Sequence, residues 1–225
     1  MKLDARGTGE TAKEYAYRIL KENIITLELE PGSTLNDMEI SQLIGISRTP
    51  VREAIIKLKE ESGIIEIFPQ RGMRIALIDT EVVQEVRFLR MTLEKAVVEL
   101  ACDMARQEDF DWLEENLKLQ EFYLANDMIQ KLLELDNALH KKFFTICNKN
   151  LIYHMSQGLS IHYDRVRNME ATTIRDSKTV EDHRHLVAAI RKKDKALSKQ
   201  IMEEHLDRWL LNEKTLRREY PQYFK

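Results

Sequence analysis

Apolar residues recur at helical spacing along most of this chain, and the period changes in only one stretch. Residues 11–27 keep Tyr15, Ile19, Leu20 and Ile24 on one face and predict a first helix. Met38–Ile46 predicts a short second helix, with Gly45 at its end because glycine tolerates the left-handed backbone of a tight stop. A third helix follows, with Val51, Ala54, Ile55 and Leu58 on its inner face. Ser47 suits its N-cap, and Pro50 falls in its first turn, where a missing N–H costs little. The pattern then turns to β. Gly63–Phe68 and Met73–Ile78 flank Pro69-Gln70-Arg71-Gly72 and predict a hairpin with a basic tip. After Asp79-Thr80 the helical period returns and predicts amphipathic helices at about 80–105, 109–125, 128–147, 149–170, 176–192 and 194–219. Short polar breaks separate them, at Gln107-Glu108-Asp109, Asn126-Asp127, Asn148-Lys149-Asn150, Asp176-Ser177 and Lys192-Lys193-Asp194.

These elements predict a mainly α protein: an N-terminal winged helix-turn-helix over 8–78 and a C-terminal antiparallel all-α bundle over 79–225. The inner face of the third helix leaves Arg48, Thr49 and Arg52 pointing outward near its N-terminus. That is how a recognition helix presents side chains to a major groove, so the expected partner is double-stranded operator DNA. Ser47, Arg48, Thr49, Pro50 and Arg52 form the candidate reading edge, and Arg71 and Gly72 the wing tip that touches backbone or minor groove. A net charge of −3 does not mark a nucleic-acid binder. The objection is weak, because Arg48, Arg52, Lys57, Lys59, Arg71 and Arg74 crowd one short segment, and local charge neutralises phosphates. Cys102 and Cys147 sit in apolar helical patterns and read as buried reduced thiols. No signal peptide, membrane span or lipidation motif is visible, which predicts a cytoplasmic protein with no membrane partner.

A second chemical pattern lies in the bundle. Asp136 and His140 interrupt an apolar stripe four residues apart and project from one helix face toward the core. His183 shares a face with Leu186, Val187 and Ile190, and His205 with Leu197, Ile201 and Trp209. Buried carboxylates and imidazoles are costly unless paired or metal-bound. Spacing alone leaves two readings open: satisfied core histidines, or a divalent transition-metal site with room for water or a ligand carboxylate. His154 and His162 show no partner pattern, and His185 reads as an extra surface histidine.

In the first 78 residues, Pro31-Gly32-Ser33-Thr34-Leu35, Ser47-Arg48-Thr49-Pro50-Val51-Arg52-Glu53 and Pro69-Gln70-Arg71-Gly72 together resemble the GntR family of bacterial transcription regulators. One departure is that Leu58–Gly63 looks one residue longer than that family's link into the wing. Farther on, Asp136-x-x-Leu139-His140, Glu181-Asp182-His183-Arg184 and Glu204-His205-Leu206 resemble the metal-binding FCD domain of the FadR-type branch, over about 82–214. Arg90-x-x-x-Glu94 with Ala101 fits that domain's first helix, and Leu139 replaces a phenylalanine common before the histidine. The resemblance implies that Asp136, His140, His183 and His205 hold a metal, Zn2+ first and Ni2+ second.

It further implies a homodimer that senses a small carboxylate or hydroxy acid and controls DNA affinity, by default as a repressor. Arg90 is a candidate effector contact, and Asn150 is either another or a helix cap. The rival expectation is a helical metalloenzyme in which the same Asp/His3 group activates a water; four protein ligands and the lack of an obvious base speak against it.

Overall fold

The computed structural model describes residues 1–174 and 178–225, with the backbone alone for 209–211. Helix α1 (Ala12–Ile25) starts with a reciprocal cap between Thr11 and Glu14 and buries Ile19, Leu20 and Ile24. Helix α2 (Asp37–Ile44) starts at Asn36, whose side chain accepts from the Met38 and Glu39 amides, and stops at Gly45 with φ 70°. Helix α3 (Arg48–Ser62) packs Val51, Ala54, Ile55 and Leu58 inward, mainly on α1, and stops at Gly63 with φ 68°. Ser47 holds the cap position, but its side chain makes no capping hydrogen bond. The third helical residue is Pro50, which lacks the N–H that a serine cap commonly holds.

Three short strands complete this region: β1 (Thr34–Leu35), β2 (Ile65–Phe68) and β3 (Gly72–Ile75), antiparallel in the order β1-β3-β2. The hairpin is as expected, with Ile65 opposite Ile75 and Phe68 opposite Gly72. Its turn has Pro69 second and Gln70 third with φ 61°, closed by the Arg71 amide on the Phe68 carbonyl, as in a type II turn. The strands are shorter than the apolar runs. Strand β1 left no period to read, being only two residues long.

Six helices follow: α4 (Thr80–Met104), α5 (Gln107–Ala125), α6 (Ile129–Ile146), α7 (Asn150–Thr173), α8 (Lys178–Arg191) and α9 (Lys195–Glu219). Left-handed residues turn the chain at three predicted breaks, at Asp127, Asn148 and Lys193. The break expected at Asp176-Ser177 lies outside the described residues. Val98, Leu113, Leu139, Phe143, Leu186 and Ile190 are central to this part's core, where α5 packs on α6 and α8. Cys102 and Cys147 are buried and free in it. No helix among the described residues is long and apolar enough to cross a membrane.

The chain forms two compact units. One comprises Met1–Val86, Gly158–Met169 and Thr215–Lys225; the other comprises Arg87–Gln157 and Glu170–Lys214. The first unit thus takes in the middle of α7, which contributes Ile161 to the core built by α1–α3. It also contributes Arg165, which is 0 % exposed and donates to the Ala76 carbonyl at 2.7 Å and the Leu77 carbonyl at 3.5 Å. Burial lowers the Arg165 pKa to about 9. His162, one turn earlier, meets the Ser62 carbonyl at 2.6 Å. Ile78 continues the same path, donating to the Tyr223 carbonyl and accepting from the Lys225 amide. The stretch leaving the wing is therefore a satisfied, buried segment. Arg165→Met should leave its carbonyls unpaired and lower the stability of this unit by about 1–3 kcal/mol, read as a lower urea midpoint.

Candidate nucleic-acid interface and metal centre

The first candidate site is the exposed start of α3 and the hairpin beside it. Arg48, Thr49 and Arg52 are exposed, as their positions opposite Val51 and Ile55 require. A groove of about 600 Å³ runs between α3 and the hairpin, lined by Arg48, Arg52, Ile56, Phe68 and Gln70 among others. At the hairpin tip Arg71 and Gly72 are exposed, and Gly72 has φ 96°. The Arg71 side chain has no partner among the described residues. The rest of the cationic cluster is more committed than the sequence suggests. Arg74 bonds Glu66 and stacks over Phe68, and Lys57 pairs with Glu61 over the Tyr17 ring. Arg48 and Arg52 both bond Asp37, a buried carboxylate that sequence reading did not single out.

The second site lies within the helical unit. Asp136 and His140 come from α6, His183 from α8 and His205 from α9, and one ligand atom from each falls within 4.8 Å of all the others. Individual separations are 3.2 Å for His140 Nε2 to His205 Nε2, 3.5 Å for His183 Nε2 to Asp136 Oδ1, and 3.8 Å for His140 Nε2 to Asp136 Oδ2. A tetrahedral ion with ligands at ~2.0–2.1 Å separates them by roughly 3.3 Å, so the gathering has the size of such a shell.

Each imidazole has a polar side chain behind it. His140 Nδ1 bonds Glu94 of α4, and Glu94 also accepts from Arg90 Nε at 2.8 Å. His183 Nδ1 donates to Gln120 Oε1 of α5 at 2.8 Å, and Gln120 is held in turn by Asn116 at 2.6 Å. His205 Nδ1 faces Asp182 of α8 at 3.5 Å, and Arg208 forks onto that carboxylate at 2.6 Å through both Nε and Nη2. Acceptors on Nδ1 of His140 and His183 keep the hydrogen there and leave their Nε2 atoms as lone pairs directed inward, whereas His205 Nδ1 makes no hydrogen bond among the described residues.

The electrostatics agree. Burial holds the His183 pKa well below the usual 6.5 and lowers that of His205 too, so both favour the neutral, ligating form. Burial alone would raise the Glu94 pKa, but Arg90 and His140 outweigh it and keep the carboxylate ionised. His183 Nε2 is fully buried and has no hydrogen-bond partner among the described residues. A satisfied core histidine has no reason to aim a bare nitrogen at a carboxylate and two more imidazoles; this donor set fits a divalent transition ion.

Of the effector candidates, Arg90 is buried beside this group through Glu94. Asn150 is not among the groups bonded to the imidazoles. It is the exposed first residue of α7, the cap position is Lys149, and its side chain accepts from Thr145 at 2.9 Å. Gln120 and Asp182 were missed as site residues because each signals its role only through the helix packed opposite.

The chain has counterparts among known proteins. The description "Bacterial regulatory proteins, gntR family" matches residues 12–75, and the FCD domain matches residues 85–208. The HTH-type transcriptional repressor RspR of Escherichia coli strain K12 is 30% identical over 216 residues, 96% of this chain and 94% of that protein. YdhC of Bacillus subtilis strain 168, an HTH-type transcriptional regulator, is 28% identical over 196 residues, 85% of this chain and 86% of its own length. The solved structure of E. coli McbR/YncC shares the fold, with a TM-score of 0.79 at 20% identity over 93% of this chain and 99% of that one. With a matching reading head, a matching helical domain and a relative alike over nearly its whole length, the chain belongs to the GntR family of bacterial transcription regulators, in the branch that carries an FCD domain.

Proposed function

We propose that this regulator is a metal-dependent sensor of a small carboxylate or hydroxy acid, working as a homodimeric cytoplasmic repressor. The observation that carries this reading is the convergence of three imidazoles and the Asp136 carboxylate inside the FCD domain of a DNA-binding chain. In functional terms, residues 8–78 are the reading head and 79–225 the sensing and dimerising part. Asp136, His140, His183 and His205 hold the ion, Zn2+ or Ni2+. A bound ion supplies a Lewis-acidic position for an oxygen of the effector. Arg90 adds positive charge behind His140 and is the effector's assigned cation. Asn150, exposed and bonded to Thr145, has only its place after the Asp136/His140 helix to recommend it as a second contact. The metalloenzyme alternative finds no support among the relatives, which are transcription regulators. Repression is assigned because RspR is named a repressor. An effector changes operator affinity only by binding one conformational state more tightly than another, so the coupling is reciprocal.

At the DNA, Arg48 and Arg52 contact bases or phosphates beside Thr49 and Pro50. Ser47, free of a capping role, offers its hydroxyl to a phosphate, and Arg71 with Gly72 sets the wing on the backbone or minor groove. Arg48→Ala should weaken operator binding by roughly 1–3 kcal/mol if the contact is bidentate to a guanine. A gel-shift titration measures this, and unchanged affinity sinks the assignment.

One recognition helix makes too few contacts for specificity, so a two-fold dimer on a pseudo-palindrome is expected. A candidate surface lies at the start of α7, where the apolar Leu151 and Met155, one helical turn apart, are 72% and 70% exposed. Met155→Glu should shift light scattering from dimer to monomer and weaken operator binding with it. A wild-type monomer that binds its operator fully contradicts the dimer.

For the metal, elemental analysis of protein purified without chelator should find about one transition ion per chain, and markedly less in His205→Ala. The same substitution should abolish the response to organic acids and leave DNA affinity partly intact. Wild-type protein that carries no metal and takes up neither zinc nor nickel leaves the four residues as core polar groups only.

A further inference from the structure

Asp37 lies beneath the reading face, and the DNA contacts assigned above do not use it. It is the first residue of α2, and its side chain is 5% exposed. Arg48 forks onto it, Nε to Oδ2 at 2.9 Å and Nη2 to Oδ1 at 2.8 Å, and Arg52 Nε bonds the same Oδ2. One carboxylate therefore holds two guanidinium groups a helical turn apart, which remain 48% and 60% exposed and line the same groove. The Arg48 hydrogen bond, helped by that of Arg52, outweighs burial and holds the Asp37 carboxyl below its usual range.

We propose that Asp37 is a positioning residue that determines DNA specificity. It fixes Arg48 and Arg52 in the rotamers that read base edges, and its charge weakens binding to DNA of any other sequence. An unrestrained arginine samples many rotamers, and a bidentate contact with guanine selects one, so ordering it beforehand removes that loss from the binding step. A carboxylate on the Nε side leaves the far end of the guanidinium, which still presents paired donors for guanine O6 and N7. Attraction to phosphate follows charge. Two arginines and one aspartate amount to a local +1 rather than +2, which disfavours contacts made through charge alone. An ion pair with only a structural role would weaken all DNA binding alike, by loosening α2 against α3.

The inference rests on α3 reading DNA through these arginines, and the experiment separates the two. Full-length wild-type protein selects an operator from a random duplex pool. Affinities for that operator and for poly(dI-dC) are then measured by fluorescence anisotropy across a salt series. Asp37→Asn should bind the operator roughly tenfold more weakly, through lost ordering of two side chains. It should bind poly(dI-dC) at least as tightly as wild type, with a salt slope steeper by about one. In an Arg48→Ala/Arg52→Ala background Asp37→Asn should cost no further operator affinity. Equal factors on both DNAs, or the full loss in that background, overturns the proposal. If Asp37→Asn is unfolded by circular dichroism at the assay temperature, Asp37→Glu replaces it. That variant keeps the charge but displaces it, so operator affinity should fall while poly(dI-dC) affinity stays level, and an unchanged operator affinity overturns the proposal. Arg48→Ala with full operator affinity instead defeats the assignment of the reading edge, whatever Asp37 does.

Discussion

A buried imidazole turns one nitrogen inward most readily when something holds the other, and the helical unit sets a polar group behind each of its three clustered imidazoles. Glu94 from α4, Gln120 from α5 and Asp182 from α8 stand behind His140, His183 and His205. Five helices must therefore stay in register for one small cluster. The supporting carboxylates bring their own counter-charges, Arg90 for Glu94 and Arg208 for Asp182. Their charge is matched within the support, and the inward side is left to the imidazole Nε2 atoms and the Asp136 carboxylate. Ionised groups buried in this way are tolerable only because each is paired and hydrogen-bonded.

The reading head follows the same physical rule with other residues. Asp37 is buried and ionised because two arginines share it, and those arginines keep much of their surface exposed. Farther along, Arg165 is buried where the chain leaves the wing and meets carbonyls that no strand satisfies. In each place a polar group under the surface holds a piece of backbone or a working side chain in one arrangement. Apolar packing explains why the elements exist, and these polar pairs explain why particular side chains point as they do.

Much of this was legible in the chain itself. Period 3.6 with polar breaks located the helices because an amphipathic helix repeats its burial locally, and Asn148 and Gly45 mark stops through their tolerance of left-handed backbone. The hairpin was visible from Pro69-Gln70-Arg71-Gly72 between two apolar runs, since its turn chemistry is local too. Asp136 and His140 could be paired from spacing alone, because one helix turn fixes their relation. Ser47 shows the limit of such local reading: a good cap residue in the right position makes no capping bond, and Pro50 removes one of the two N–H groups it could have held.

What the chain alone determined, then, is whatever repeats within a turn or two of backbone: element type, the inward face of each helix, and the outward arginines of α3. Tertiary structure decided the rest, because those relations join residues far apart in sequence. The distance from His140 to His205 and the choice of Gln120 rather than a carboxylate behind His183 depend on how helices pack across tens of residues. So does the inclusion of the middle of α7 with the N-terminal core, through Ile161 and Arg165. An Asp or Gln has no periodicity that announces its partner; it becomes a site residue only when another element is packed against it.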